Sequence, residues 1–235
     1  MTRNRAQALA FAGSLAVASP AAYADAVADW NQIALDAVVA SSRSPEQALK
    51  EMAMVHAAMF EALNFVEPRY KSQYTVASQA QPGAPRAAVA AGAAHHILVE
   101  LYPARAVELK RALTSSLSAV ADQQAAYAAA ITGRSIAQIV WAVRASDHAS
   151  KGALAPAAFE RTSGRARWDV DLRSLNSAIA GLIESQRLDS LESARVHALA
   201  SGAAADAIRS PAEAGASVSL RTGSALQAAL LEGRP

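Results

Sequence analysis

Residues 44–66 read SPEQALKEMAMVHAAMFEALNFV, and this stretch decides the fold. Ser44 is a good helix N-cap, Pro45 suits the first helical position, where no amide hydrogen bond is lost, and Gln47 stands where a capping-box partner belongs. At 100° per residue, Leu49, Met52, His56, Met59, Phe60 and Leu63 form one wide apolar stripe, while Glu46, Lys50, Glu61 and Asn64 form a polar one. The spacing predicts the central core helix, with one face buried and Glu46 and Glu51 on the solvated side. His56 falls near the middle of the apolar stripe, where a lone histidine is a hydrogen-bonded core residue more often than an acid–base group or ligand.

Working outward, DAVADWNQIALDAVVAS (Asp25–Ser41) carries Val27, Trp30, Ile33 and Val38 at helical spacing and predicts a helix anchored by Trp30. The short turn Ser42-Arg43-Ser44 makes it an antiparallel neighbour of the central helix. Downstream, Glu67–Pro85 breaks the periodicity with Pro68, Pro82, Gly83 and Pro85, and predicts a strap whose Tyr70 and Tyr74 pack on the helices or offer a binding surface. Helices are expected over Ala87–Leu101, from Pro103 to about Val120, and from about Asp122 to Arg144. Residues 146–171, rich in Gly, Ser, Pro and Arg, read as a connector. Leu172–Gln186 and Leu191–Ile208 read as a helical pair, the second opened by Asp189 with Glu192 as capping partner. Residues 210–235 read as a poorly anchored tail with one weak helix, Ser224–Leu231.

Composition agrees with an all-α bundle of about seven helices. Alanine supplies 62 of 235 residues and aromatics 5%, which favours close-packed helices over strand pairing. Residues 1–24 resemble a secretory signal, with Arg3 and Arg5, an apolar run Ala8–Ala18 and the small-x-small site Ala22-Tyr23-Ala24, so a secreted or periplasmic location is expected with cleavage after Ala24. No later run approaches the ~18 uninterrupted apolar residues of a membrane span. Removing Arg3 and Arg5 takes 22 basic and 20 acidic side chains to 20 and 20. That balance, with no Lys/Arg-rich run, argues against nucleic-acid binding. The absence of cysteine excludes disulfides and thiolate chemistry.

Motifs for chemistry are sparse. His95 and His96 are adjacent on a helix and point about 100° apart, so they do not chelate one metal in the i, i+4 manner; His96 is a weak binding candidate beside Tyr70 and Tyr74. His148 and His197 lack an HExxH partner. Neither G-x-S-x-G, Ser-x-x-Lys, G-x-G-x-x-G nor a P-loop occurs. Met52, Met54 and Met59 read as gap-fillers in a core.

Three segments taken together, Trp30–Tyr70, Pro82–Leu113 and Leu188–Ile208, resemble the helical N-terminal half of bacterial vanadium-dependent haloperoxidase-like proteins, relatives of the type-2 phosphatidic acid phosphatases. The core MVHAAMFEALN marks that fold and not its catalysis. The resemblance implies an oxyanion cage made by a lysine, an Arg-Pro after six intervening residues, a Pro-Ser-Gly-His turn and a Ser-Arg followed by histidine. This sequence departs from the pattern. Lys50, Lys71, Lys110 and Lys151 are followed seven residues later by Ala57, Ser78, Leu117 and Ala158, and the lone Arg-Pro, Arg234-Pro235, has Gln227 where the lysine belongs. The expectation is therefore a secreted, non-catalytic helical module with no cofactor of its own, which acts as a homo-oligomer or with a partner protein. The alternative is half of a haloperoxidase or acid phosphatase whose catalytic residues, and vanadate, are supplied by another or missing segment.

Overall fold

A computed structural model describes residues 21–41, 45–72, 74, 81–151 and 172–209. Seven α-helices and one 3₁₀ turn, with no strand, make up the described residues: α1 (Ala21–Ala40), α2 (Pro45–Val66), α3 (Arg86–Leu101), the 3₁₀ turn Pro103–Arg105, α4 (Ala106–Ser118), α5 (Gln123–Lys151), α6 (Leu172–Gln186) and α7 (Ser190–Arg209). The predicted signal at residues 1–24 lies almost wholly outside the described residues, as do the Ser44 cap and the tail with its Ser224–Leu231 helix.

Helix α2 is central, and it is buried all round. From Ala48 to Val66 only Lys50, Phe60 and Phe65 are less than fully buried, because α1, α3, α5 and α7 all pack on it. The expectation of a solvated stripe is therefore corrected: Glu51, Glu61 and Asn64 are 0–1% exposed. A helix with neighbours on every side has no solvent face to give its polar residues, so each exchanges water for a protein partner. Gln47 is one such partner, its Nε2 donating to Glu51 Oε1 at 3.0 Å.

Other elements follow their local chemistry. Trp30 is fully buried and its Nε1 donates to Ser116 Oγ at 3.1 Å, which ties α1 to α4. Met52 and Met59 are buried in the core and Phe60 packs against it half-buried. Helix α5 runs to Lys151 instead of ending near Arg144, so the first six residues of the expected connector are helical; Ser146–Lys151 contains neither Gly nor Pro, and the first breaker is Gly152. Asp122 opens α5 by accepting the Ala125 N–H at 2.9 Å.

Helices α3 and α5 approach backbone to backbone at Gly92 and Gly133. A Cβ on Gly92 would lie 2.2 Å from Ala130 O, and one on Gly133 2.0 Å from Val89 O. At the far end the capping box at Asp189 forms as the sequence predicts, with Glu192 N–H to Asp189 Oδ1 at 3.0 Å and Asp189 N–H to Glu192 Oε2 at 3.3 Å. Leu191 and Ala194 join the main core, while Ile179, Val196 and Ala200 form a small separate cluster between α6 and α7.

Candidate functional site

The polar side chains of α2 form a buried seam, each reaching a different neighbour. Glu51 accepts from the Tyr102 hydroxyl at the end of α3. One helical turn further on, His56 joins three helices: its Nε2 lies 2.8 Å from Asn31 Oδ1 on α1 and its Nδ1 2.9 Å from Ser201 Oγ on α7. Asn31 Nδ2 in turn donates to Asn176 Oδ1 on α6 at 2.5 Å. With its amide so committed, Asn31 presents only an acceptor to His56, so Nε2 carries the proton and the ring is neutral. The Ser201 hydroxyl beside Nδ1 donates to His197 O at 2.7 Å, so its one proton serves either that carbonyl or the ring nitrogen.

His197 stacks at a tilt on His56 with ring centroids 4.8 Å apart. Burial pushes its basicity down to about 4. Burial likewise, and then the neighbouring His197 ring, holds His56 well below the ordinary histidine range. Ser190, Ser193, His197 and Ser201 are all buried on α7, and their spacing of three and four residues puts them on one stripe. Among the described residues Ser190 Oγ, Ser193 Oγ and His197 Nδ1 are buried without a hydrogen-bond partner, which leaves three polar atoms of α7 uncompensated for their lost water. A narrow cavity beside it, lined by Leu35, Met52, His56, Asn176, Ile179 and Ser201, has room on the order of one water molecule.

The strap is fastened at its start by Asn64, whose Oδ1 accepts the N–H groups of Arg69 at 3.1 Å and Tyr70 at 2.9 Å while its Nδ2 donates to Tyr70 O at 2.8 Å. Glu61 accepts from Ser72 Oγ at 2.6 Å. Tyr70 lies between Phe60 and the guanidinium of Arg195, 4.4 Å above its ring, and Tyr74 accepts from Arg144 Nε at 2.5 Å. Both tyrosines thus face helices. Arg69 and Arg86 bridge Glu67 and Asp189, which ties the start of the strap and the start of α3 to the α6–α7 turn. Burial alone would raise the Asp189 carboxyl, but the Glu192 backbone N–H and the Arg69 guanidinium hold it below the usual carboxylate range.

His96 stands apart from this seam on α3, its Nδ1 4.0 Å from Glu100 and its Nε2 buried without a partner. His95 packs edge-on to Trp30. Burial lowers the basicity of both. Among the described residues no three His, Cys, Asp or Glu side chains converge as a metal would require, and no described helix is long and apolar enough to cross a membrane.

The structure brings His56 together with Asn31, Asn176, His197 and Ser201, and leaves Tyr70, Tyr74 and His96 elsewhere. Asn31 and Ser201 carried no signal in the sequence, since each is an ordinary polar residue of an alanine-rich helix until the fold sets it against His56. The comparisons add no relative to this geometry: no protein-family model, no curated protein and no solved structure matches the chain.

Proposed function

We propose that this chain is an exported helical scaffold that works through its surface and performs no chemistry of its own. One observation carries this reading: the groups of α2 suited to acid–base work, Glu51, His56 and Glu61, are buried and bonded to α1, α3, α7 and the strap. A general acid or base must reach a substrate proton within hydrogen-bonding distance, and these side chains spend that reach on holding helices together. The missing lysine–arginine pattern supports the same reading. The test is ligand binding: full-length chain titrated with vanadate and with inorganic phosphate is expected to give no saturable heat. One-to-one binding by the chain alone would overturn the reading.

The second reading, half of a haloperoxidase or acid phosphatase, is favoured by the MVHAAMFEALN core, which forms the centre of the bundle. On that reading the cage lies on another polypeptide, and a co-purifying chain with the lysine–arginine and Pro-Ser-Gly-His motifs would be found. Export is expected to leave Asp25 as the mature N-terminus, read by intact mass after expression with a secretion pathway. A mature protein that begins at Met1 would refute export.

A further inference from the structure

The α6–α7 hairpin contributes little to the core that holds the other helices. Of its residues only Leu191 and Ala194 enter the main cluster, which is otherwise drawn from α1 to α5. The hairpin has a small core of its own, Ile179, Val196 and Ala200, with Leu182, Ile183 and Leu188 packed on it. It also follows α5 in the chain, so its departure leaves the succession α1 to α5 unbroken. A contiguous segment with its own apolar cluster and few residues in the main one is the kind that opens as a unit.

The joint that holds it is polar. Of the ten buried polar side chains among the described residues, six lie on the joint or on the α7 stripe that runs through it: Asn31, His56, Ser190, Ser193, His197 and Ser201. His56 Nδ1 meets Ser201 Oγ at 2.9 Å, Asn31 meets Asn176 at 2.5 Å, and the His197 ring lies against His56. Ser190 Oγ, Ser193 Oγ and His197 Nδ1 have no partner among the described residues and regain water when the hairpin leaves. Where α3 meets α5 at Gly92 and Gly133, by contrast, backbone lies against backbone. At the surface Asp189 pairs with Arg69 and Arg86, side chains that are 24–33% exposed, and such ion pairs add little. The buried seam therefore decides whether the hairpin stays docked.

Both rings of the seam titrate, and no charge among the described residues balances them. Asn31 of α1, Asn176 of α6 and Ser201 of α7 are neutral, and the cavity wall beside them is Leu35, Leu49, Met52 and Ile179. The charged Asp29 and Asp36 of α1 and Arg173 and Glu184 of α6 are exposed. On α2 itself Lys50, Glu51 and Glu61 point about 120–140° away from His56 at 100° per residue. On α7, Asp189 and Glu192 cap the helix start and Arg195 covers Tyr70. His95, His96 and Arg134, which act on one another between α3 and α5, act on neither ring. Protonating one imidazole of the docked hairpin thus buries an unpaired charge, and protonating both sets two like charges side by side; once undocked, both rings reach water.

We propose that the α6–α7 hairpin is an acid-released latch, which undocks as one piece from an α1–α5 bundle that stays folded and so uncovers the His56 side of α2. Undocked, both histidines titrate near 6.5; docked, burial holds His197 at about 4 and, with the His197 ring beside it, holds His56 well below the ordinary range. Above about pH 6.5 the rings are neutral in both states and docking has its full strength. Below it the undocked hairpin takes up protons that the docked one refuses, and from pH 7.5 to 5 His197 alone weakens docking roughly 30-fold. His56 acts in the same direction. Oxyanion binding bears on none of this, so the latch and the scaffold reading fail separately. The test is amide hydrogen exchange of the full chain at pH 7.5, 6 and 5, corrected for intrinsic rates and read in the central amides of α3 and α7. At pH 7.5 α7 is expected to be at least tenfold less protected than α3, and by pH 5 its protection should fall at least a further 30-fold while α3 remains protected. His197→Phe should remove about 30-fold of that acid loss; the wild-type pattern decides even where this variant fails to fold. Equal protection of α3 and α7 at every pH overturns the latch, because the molecule then opens only as a whole. So does α7 protection that is the same at pH 7.5 and 5, or a folded His197→Phe that keeps the whole wild-type loss.

Discussion

Gly133→Ala is expected to destabilise the fold by about 2 kcal/mol, and Gly133→Leu by enough to leave the chain largely unfolded. Glycine to alanine inside a helix normally stabilises by up to ~1 kcal/mol, through helix propensity and a less flexible unfolded chain. Here the new Cβ would sit 2.0 Å from Val89 O and 2.9 Å from Val89 C. These are backbone atoms in the middle of α3, and they cannot give way without parting the two helices over their whole contact. Overpacking of that kind costs about 1–3 kcal/mol per small insertion, and more for a branched side chain. Gly92→Ala, facing Ala130 O at 2.2 Å across the same seam, should behave alike, and the double variant should cost less than the two singles summed, since one separation relieves both clashes. Gly202→Ala on α7 and Gly181→Ala on α6 are the controls, for nothing lies within 4 Å of either Cβ. Both should raise the urea midpoint while Gly133→Ala lowers it. Equal midpoint shifts at all four positions would contradict a close α3–α5 approach.

Acid should open the fold through the α2–α7 seam. In the unfolded chain both histidines titrate near 6.5, whereas in the fold burial holds His56 well below that value and His197 at about 4. Above about pH 6.5 both states carry neutral rings, and the full stability is present. As pH falls below 6.5, the unfolded chain takes up protons that the fold refuses, and stability drops by about 1.4 kcal/mol per pH unit for each such histidine. The loss from His197 ends near pH 4, where the ring titrates in place. It amounts to about 3 kcal/mol, with a further loss from His56 in the same direction and from the lowered His95 and His96. Urea midpoints at pH 7.5, 6, 5 and 4 should trace this decline. His197→Phe keeps a ring stacked on His56 and cannot titrate, so its profile should be flatter. A variant that loses stability as steeply as wild type would show that the seam is not where acid acts.

Much of the architecture was legible along the chain. Pro45 and the apolar spacing to Val66 placed the central helix with its observed bounds, and the Asp189–Glu192 pair placed the start of α7, because caps and periodicity are properties of neighbours in sequence. The strap was also readable, since Pro68, Pro82 and Pro85 deny it helical hydrogen bonding. The end of α5 differs from its expected place because the Gly, Pro and Arg that mark residues 146–171 as a connector all lie beyond Lys151, and Ser146–Lys151 holds no residue that breaks a helix.

The site was far less legible. Glu51, Glu61 and Asn64 fell on the polar stripe of α2 and were expected in water; periodicity distinguishes apolar from polar sides but cannot say whether a further helix covers the polar one. His56 was recognisable as a core histidine, yet its partners Asn31 and Ser201 lie 25 and 145 residues away. Local sequence determined which segments are helices, where they start, and which side chains need burial, because those depend on backbone hydrogen bonding within a few residues. Only the tertiary structure decided which helix stands at the centre, that Gly92 meets α5 and Gly133 meets α3, and that two histidines stack out of reach of solvent. Those outcomes are set by the register and distance between helices that share no local sequence, where a shift of a few ångströms separates a close contact from a clash.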